Sequence, residues 1–250
     1  MKNSPILMSP PMVCSTLDGI KFQTRRVIDP QPDDDGGIPG TCLDVEDDRF
    51  LNKCRYGVVG DRLWVKENWR TRREWDKLPA LQIPDGEPKI IDNPDNWPWM
   101  REQWIHYHTR PQENGKLRGK LRPCLFMRQW MSRLCLELVE VRVQRLHAIT
   151  PDDAIAEGLG RVSKDGGRTF KYGIPDADGL PGRDDYGWDW KLWQVCPVVA
   201  YRQLWDSINA KRGYPWYKNP WVWALSFKRV PLLGDDITAS FLQPHAPVAE

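Results

Sequence analysis

The longest strand pattern in the chain is SRLCLELVEVRVQRL, residues 132–146. Within it, Val139, Val141 and Val143 alternate with charged or amide side chains. Because successive side chains of a strand point to opposite faces, this alternation predicts a strand with one apolar and one polar face. We therefore expect a fold built on a sheet that contains this segment.

Shorter element patterns lie on both sides of this strand. Apolar runs bounded by turn residues predict four further strands, at residues 6–8, 23–28, 62–67 and 221–228. Proline in the first turn is typical of a helix start, and it predicts helices from Pro10 and from Pro151 behind the N-cap Thr150. An apolar stripe of Val198, Tyr201, Trp205 and Ile208 predicts an amphipathic helix over Pro197 to Asn209. Strands mixed with short helices, without a regular βαβ order, indicate an α+β fold with a curved mixed sheet or a β-barrel.

Three segments interrupt these elements and are expected to be loop insertions in a single domain that spans residues 1–230. The insertions lie at about residues 31–55, 71–120 and 160–196. The first is acidic, the second is rich in proline, and the third is rich in Gly, Asp and Arg. Residues 231–250 are thin in aromatic side chains and are expected to form a flexible C-terminal tail.

Composition and charge exclude two classes of protein. The 250 residues hold 36 Lys and Arg against 34 Asp and Glu, a net charge of +2, together with 14 Trp. That much tryptophan excludes an intrinsically disordered chain, and a charge so near zero excludes a histone-like polycation. The near-zero net charge is the sum of one acidic and two basic regions. Residues 31–50 hold seven acids, whereas residues 99–145 hold ten bases and residues 201–230 hold six. A basic region interleaved with Trp and Tyr is typical of a nucleic-acid surface, and equally of a solvated face.

A short polar cluster, Gly19-Ile20-Lys21-Phe22-Gln23-Thr24-Arg25-Arg26, lies between the first predicted helix and the second predicted strand. A lysine whose pKa is lowered by burial can act as the base for a nearby threonine hydroxyl. Whether Lys21 and Thr24 meet depends on the turn between them. The fork of donors on Arg26 can hold a phosphate or a carbonyl oxygen. The alternative interpretation is an ordinary basic turn with surface charges.

This cluster resembles the G-x-K-x-x-(E/T)-x-R signature of the ASCH family, a branch of the PUA-like superfamily. Gly19, Lys21, Thr24 and Arg26 occupy the signature positions. Further segments agree with a phage- and prophage-borne subgroup of the family: Leu7–Met12, Gly60–Glu67, Ile149–Ala154 and Asn219–Trp223. The resemblance covers about 130 of the 250 residues in four blocks, and it implies a PUA-like fold.

The resemblance implies two kinds of function. Small members of the family include an amidohydrolase that removes the acyl group of N4-acetylcytidine with a Lys, a Thr three residues later and a Glu in a short downstream helix. Lys21 and Thr24 match the first two positions, and Glu157 falls where the third is expected. Other PUA-like proteins bind RNA or modified bases, and some ASCH proteins resemble ribonucleases. This chain departs from the small hydrolase in its size, in its Arg25-Arg26 pair and in its three insertions.

We therefore expect an ASCH-type hydrolase that cleaves the amide of an N4-acylated cytidine or a related modified nucleoside. In that mechanism Thr24 attacks the acyl carbonyl or positions a water, Lys21 accepts the hydroxyl proton, and Glu157 holds Lys21. The alternative for Glu157 is a solvent-facing helix residue. Four more residues are expected to contact the substrate: Arg25, Arg26, Glu67 and Trp69.

Two other classes of function stay open. One is a non-catalytic PUA-like protein of phage origin that binds RNA, or less readily modified DNA, through the basic region at 99–145. The other is a phage accessory protein that binds a protein partner through its insertions, for which the exposed-looking segment Trp97-Pro98-Trp99 is a candidate surface. Salt-sensitive binding without turnover would favour the first of these.

No cofactor, metal or membrane is expected. His106 and His108 share a strand face, but no nearby Asp or Cys completes a set of metal ligands. No apolar run approaches the ~20 residues of a membrane span, and the N-terminus lacks a secretory signal. The six cysteines contain no CxxC pair and are expected to be reduced thiols, so a cytoplasmic protein of a bacterium or phage-infected cell is expected.

Overall fold

The structure is a computed structural model that describes residues 1–71, 75–83, 106–107, 120–176, 178–183 and 186–231. Its strands are β1 (Asn3–Leu7), β2 (Gln23–Val27), β3 (Arg62–Lys66), β4 (Trp69–Arg70), β5 (His106–Tyr107), β6 (Cys135–Arg145), β7 (Gly160–Val162), β8 (Lys171–Gly173) and β9 (Trp221–Val230). Its α-helices are α1 (Pro10–Leu17), α2 (Asp48–Leu51), α3 (Pro151–Ala156) and α4 (Pro197–Asn209).

Five strands form one mixed sheet in the order β1-β3-β6-β9-β2. The pair β1 and β3 is parallel, and the other neighbours in this sheet are antiparallel. The long strands β6 and β9 pair along most of their length and carry the shorter strands on either side. The predicted α+β class is confirmed, because short helices and loops pack around this mixed sheet.

The strand that was clearest in the sequence contains a β-bulge. The register of β6 against β9 shifts between Leu138 and Glu140, and Val139 is left 45% exposed. A bulge inserts one extra residue into the alternation, so Leu138 takes the place that Val139 has in the simple pattern. Leu138 and Val141 then share the face that packs on the core.

The described strands leave this sheet open, with β1 and β2 as its two edges, so the β-barrel alternative is not formed. The edges nevertheless approach each other. Nη2 of Arg26 on β2 donates a hydrogen bond of 2.6 Å to the carbonyl oxygen of Leu7 on β1. A sheet whose edge strands are joined by one side chain is strongly curved.

Helices cover the sheet through one large apolar cluster. Met12 and Val13 of α1, Ala154 of α3, and Tyr201 and Trp205 of α4 all pack into it with the strands. A smaller cluster lies apart, and its buried members are Trp69, Ile83, Met127 and Met131. Among the described residues, no helix has the length and apolar character needed to cross a bilayer.

The acidic insertion at 31–55 is more ordered than a simple loop. The carboxylates of Asp33, Asp44 and Asp47 accept hydrogen bonds from backbone N–H groups of their own turns. Phe50 of α2 stacks on Trp223 of β9 with ring centroids 5.0 Å apart, which fastens the insertion to the core. These acids therefore serve local turn structure.

The other two insertions differ in how much of them the structure describes. The segment 160–196 contains the hairpin of β7 and β8. Most of 71–120 lies outside the described residues, and so do Trp97-Pro98-Trp99 and His108. Of the predicted tail at 231–250, residues 232–250 lie outside them as well.

Candidate functional site

Helix α3 places two acidic side chains beside the edge strand β2. The hydroxyl of Thr150 accepts a hydrogen bond from the N–H of Asp153 at 3.1 Å, and the carboxylate of Asp153 accepts one from the N–H of Thr150 at 3.3 Å. This capping box starts the helix where the sequence predicts it. The helix ends at the C-cap Glu157, and Gly158 follows with φ +101°.

Lys21 and Glu157 form a buried ion pair next to this helix end. Their Nζ and Oε2 atoms lie 3.0 Å apart, and the side chains are 2% and 4% exposed. The Nζ atom also donates to the carbonyl oxygens of Glu157 and Gln23, each at 2.7 Å. These acceptors match the three N–H donors of an ammonium group. Burial lowers the pKa of Lys21, and the charge and hydrogen bond of Glu157 oppose that change.

Arg25 bridges the two carboxylates of α3. Its Nη1 atom donates to Oε1 of Glu157 at 3.1 Å and its Nη2 atom to Oδ2 of Asp153 at 2.8 Å. The Arg25 side chain is wholly buried. It was predicted to contact substrate, but the structure shows it holding in place the carboxylate that pairs with Lys21.

Tyr201 of α4 completes the surroundings of Glu157. Its hydroxyl donates to Oε1 of Glu157 at 3.4 Å. Burial, with the charge of Glu157, raises the pKa of Tyr201 well above its usual value. Sequence reasoning missed this residue, because Tyr201 lies on the apolar stripe of a helix and its partner is 44 residues away. No local signal distinguishes such a tyrosine from one that only packs.

Thr24 lies close to this group but on the other side of its strand. It is 4% exposed, and it pairs with Leu225 of β9. Alternation along β2 turns its side chain away from those of Gln23 and Arg25. The Nζ atom of Lys21 reaches the carbonyl oxygen of the peptide bond that leads into Thr24. Within the described ranges, no hydrogen bond joins the Thr24 hydroxyl to Lys21 or Glu157.

The structure thus brings two of the three predicted catalytic residues into contact. Lys21 and Glu157 are paired, and Glu157 is not the solvent-facing residue of the alternative interpretation. The third, Thr24, forms no hydrogen bond to this pair; Lys21 reaches only the carbonyl oxygen of Gln23, the residue before Thr24. Arg26, which is predicted to hold a substrate oxygen, is partly buried and donates one hydrogen bond to the carbonyl oxygen of Leu7.

The remaining predicted substrate contacts, Glu67 and Trp69, lie in buried surroundings of their own. Arg133 holds Glu67 through two hydrogen bonds of 2.8 Å, from Nε and Nη2. Trp69 is 0% exposed in the smaller apolar cluster, and the Arg122 guanidinium lies 5.4 Å from its ring centroid. An enclosed ring offers no free face to a nucleobase, so the structure gives Trp69 a packing role.

Several arginines of the predicted basic region are engaged by the protein itself. Besides Arg122 and Arg133, Arg142 pairs with Asp153 at 3.3 Å, and Arg145 pairs with Asp34 at 3.0 Å. These four side chains therefore do not form a free cationic face. In the described parts of the chain, His, Cys, Asp and Glu side chains form no group of three or more that could hold a metal ion.

Comparison of the chain with protein-family models, curated proteins and solved structures finds no match. The resemblance to the ASCH family therefore stays a prediction that rests on the signature around Lys21 and on its flanking segments. What the fold and the site define directly is an α+β protein with a buried Lys–Glu–Arg–Asp network at the edge of a curved sheet.

Proposed function

We propose that this chain is an ASCH-type hydrolase, built on a PUA-like curved sheet, that cleaves the amide of an N4-acylated cytidine or a related modified nucleoside. The observation that carries the proposal is the contact between Lys21 and Glu157. These residues are 136 positions apart in sequence, and they pair at 3.0 Å in the interior. Both are positions to which the family resemblance assigns a part in the reaction.

The chemistry requires Lys21 to lose a proton before it can act as a base. Burial favours this loss, since it lowers the pKa of the lysine. A neutral amine keeps two N–H donors, enough for the two carbonyl oxygens that Nζ already contacts. In the neutral form the third position on Nζ, which faces Oε2 of Glu157 at 3.0 Å, carries the lone pair. Because the Thr24 side chain lies on the other face of β2, the proposed reaction requires its proton to reach this lone pair through a water or after the hydroxyl reorients.

The reaction follows from these proton positions. The hydroxyl oxygen of Thr24, or the water, bonds to the acyl carbon while its proton passes to Lys21. The bond from that carbon to N4 breaks, and N4 leaves as an amine after taking the proton back. If Thr24 is the nucleophile, a water molecule then hydrolyses the acyl ester, which releases a carboxylic acid. Acid–base assistance of this kind is worth ~10²–10⁴ in rate.

The direct test is to incubate the purified protein with N4-acetylcytidine and to follow cytidine and acetate by chromatography. We expect turnover by the wild type and a loss of ~10²–10⁴ in kcat/KM for Lys21→Met and for Glu157→Gln. We also expect kcat/KM to rise with pH through the lowered pKa of Lys21. No turnover by folded wild-type protein, or unchanged turnover in Lys21→Met, would overturn the proposal.

Two controls keep a loss of activity from being confused with a loss of fold. Lys228→Met removes a lysine that also pairs with a glutamate, Glu137 at 2.7 Å, but that is 59% exposed. We expect it to retain activity. Thr24→Ser retains a hydroxyl and should keep part of the turnover that Thr24→Val loses, and circular dichroism establishes that each variant is folded.

The same preparation tests the binding alternative. If the wild type binds RNA with an affinity that falls steeply with added salt, and shows no turnover, then a non-catalytic nucleic-acid-binding protein is the better description. Capture of a protein partner independent of nucleic acid would instead favour the accessory role.

A further inference from the structure

Phe22 is exposed although both of its neighbours are buried. Its side chain is 53% exposed, whereas Lys21 is 4% and Gln23 is 5% exposed. A single exposed aromatic residue needs no explanation by itself. Phe22, however, lies between the lysine and the threonine of the proposed reaction, so its surroundings decide whether it can contact a ligand there.

The backbone holds Phe22 from two sides. Its N–H donates to the carbonyl oxygen of Ala156 in α3 at 3.0 Å, and its own carbonyl oxygen accepts from the N–H of Phe227 in β9 at 2.9 Å. Phe22 immediately precedes β2, and these two hydrogen bonds fix its backbone. Its ring projects from a fixed position at the junction of the sheet and α3.

The strand register places Phe22 and Thr24 on one face. Gln23 pairs with Ser226 and Thr24 with Leu225, and the hydrogen bond from Phe227 to Phe22 continues this ladder by one residue. Residues two apart in a strand share a face and lie about 7 Å apart. Thr24, Leu225 and Phe227 are buried on this face, whereas Phe22 is 53% exposed, so its ring lies at the rim of the face.

We propose that Phe22 is the platform on which the pyrimidine base of the substrate stacks, with the exocyclic acylamino group directed towards Thr24. The inference rests on the proposed function for the identity of the ligand. An aromatic side chain accepts any base through its π face, whereas the reacting group is selected by the polar residues beside it. Trp69, the aromatic residue that the sequence predicts to contact the substrate, is fully buried, whereas Phe22 is exposed.

The test compares Phe22→Ala and Phe22→Trp with the wild type. Calorimetric titration with cytidine and with N4-acetylcytidine gives Kd, and the cytidine-release assay gives kcat and KM. We expect Phe22→Ala to raise Kd and KM about tenfold with kcat changed far less, and Phe22→Trp to keep wild-type binding. Tyr217→Ala removes another exposed aromatic, 76% exposed and on a different segment, and should leave both constants unchanged.

The outcomes separate the two proposals. If the wild type turns over and Phe22→Ala leaves Kd and KM unchanged, the stacking inference is wrong and the proposed function stands. If the wild type does not turn over but binds cytidine in a Phe22-dependent manner, the reaction is wrong and the platform stands. A folded wild type that neither turns over nor binds overturns both.

Discussion

The Nζ atom of Lys21 lies 3.0 Å from Oε2 of Glu157, and the two side chains are only 2% and 4% exposed. The other oxygen of the same carboxylate accepts hydrogen bonds from Arg25 and Tyr201. A buried charge is tolerated only when it is paired and hydrogen-bonded. Each member of this network therefore depends on the others, and removing one leaves the rest buried with one partner fewer.

Lys21→Met should destabilise the protein by about 3 kcal/mol, because it leaves Glu157 with one charged partner fewer in a buried site. Arg25 still pairs with Glu157, so we expect the lower end of the range for a broken buried pair. Urea denaturation measures the change in the free energy of unfolding. The matched Lys228→Met, which breaks an exposed pair, should cost less than about 1 kcal/mol, and equal costs for the two variants would contradict the prediction.

Asp153→Asn should destabilise the protein by about 2 kcal/mol at neutral pH, since it removes one of the two charged partners of Arg25. Burial raises the pKa of Asp153, but Arg25 and hydrogen bonds to the carboxylate outweigh it, so the pKa is lowered from 3.8. A lowered carboxyl pKa stabilises the fold above the unfolded value and loses that effect as pH falls through the folded value. Urea midpoints should therefore converge for wild type and variant below pH 3.8.

The control for that experiment lies in the same helix turn. Asp152 is exposed, and Asp152→Asn should leave the urea midpoint nearly unchanged at every pH. A difference between wild type and Asp153→Asn that persists undiminished in acid would show that the carboxylate charge is not what stabilises the site.

Gly158→Ala should destabilise the protein by about 3 kcal/mol and disturb Lys21. Gly158 has φ +101°, and an added Cβ would lie 3.1 Å from the Cβ atoms of Lys21 and Ser15. Gly213 has a similar φ of +89° with nothing within 4 Å, so Gly213→Ala carries only the backbone cost of about 1–2 kcal/mol. Thermal or urea unfolding of the two variants measures the difference, and a Gly213→Ala cost as large as that of Gly158→Ala would argue against crowding.

Glu67→Gln should cost about 3 kcal/mol, because it breaks a buried two-hydrogen-bond pair and leaves the Arg133 charge without its carboxylate. Glu137→Gln is the matched control, since Glu137 pairs with an exposed lysine. We expect that change to cost less than about 1 kcal/mol. A cost of Glu67→Gln no larger than that of Glu137→Gln would contradict the prediction.

Much of the secondary structure could be predicted from local patterns. The capping box at Thr150, the proline at the start of α4 and the period of β6 each depend on residues within one element. The bulge at Val139 could not be predicted in the same way, because it appears only when β6 is aligned with β9. The contact that fastens the acidic insertion to the core is equally hidden in the sequence, since the partner of Phe50, Trp223, is far along the chain.

The candidate site, too, was predictable from the sequence only in part. The signature drew attention to Lys21, Thr24 and Glu157, but no spacing in the sequence reveals that Lys21 contacts Glu157 while Thr24 faces the other side of β2. The sequence predicts a substrate contact for Arg25, and nothing near it in the sequence indicates burial. Its wholly buried position between two carboxylates follows from the placement of α3 against the edge strand.

By itself, the sequence determined the strands of the main sheet, the helices α1, α3 and α4, and the segment where polar side chains are concentrated, because propensity, capping and alternation act over a few residues. The tertiary structure alone decided which charges are buried together, which aromatic residues are enclosed and which one is open. Those properties depend on contacts between residues such as Lys21 and Glu157, 136 positions apart, and burial is what gives such a contact its effect on pKa and stability.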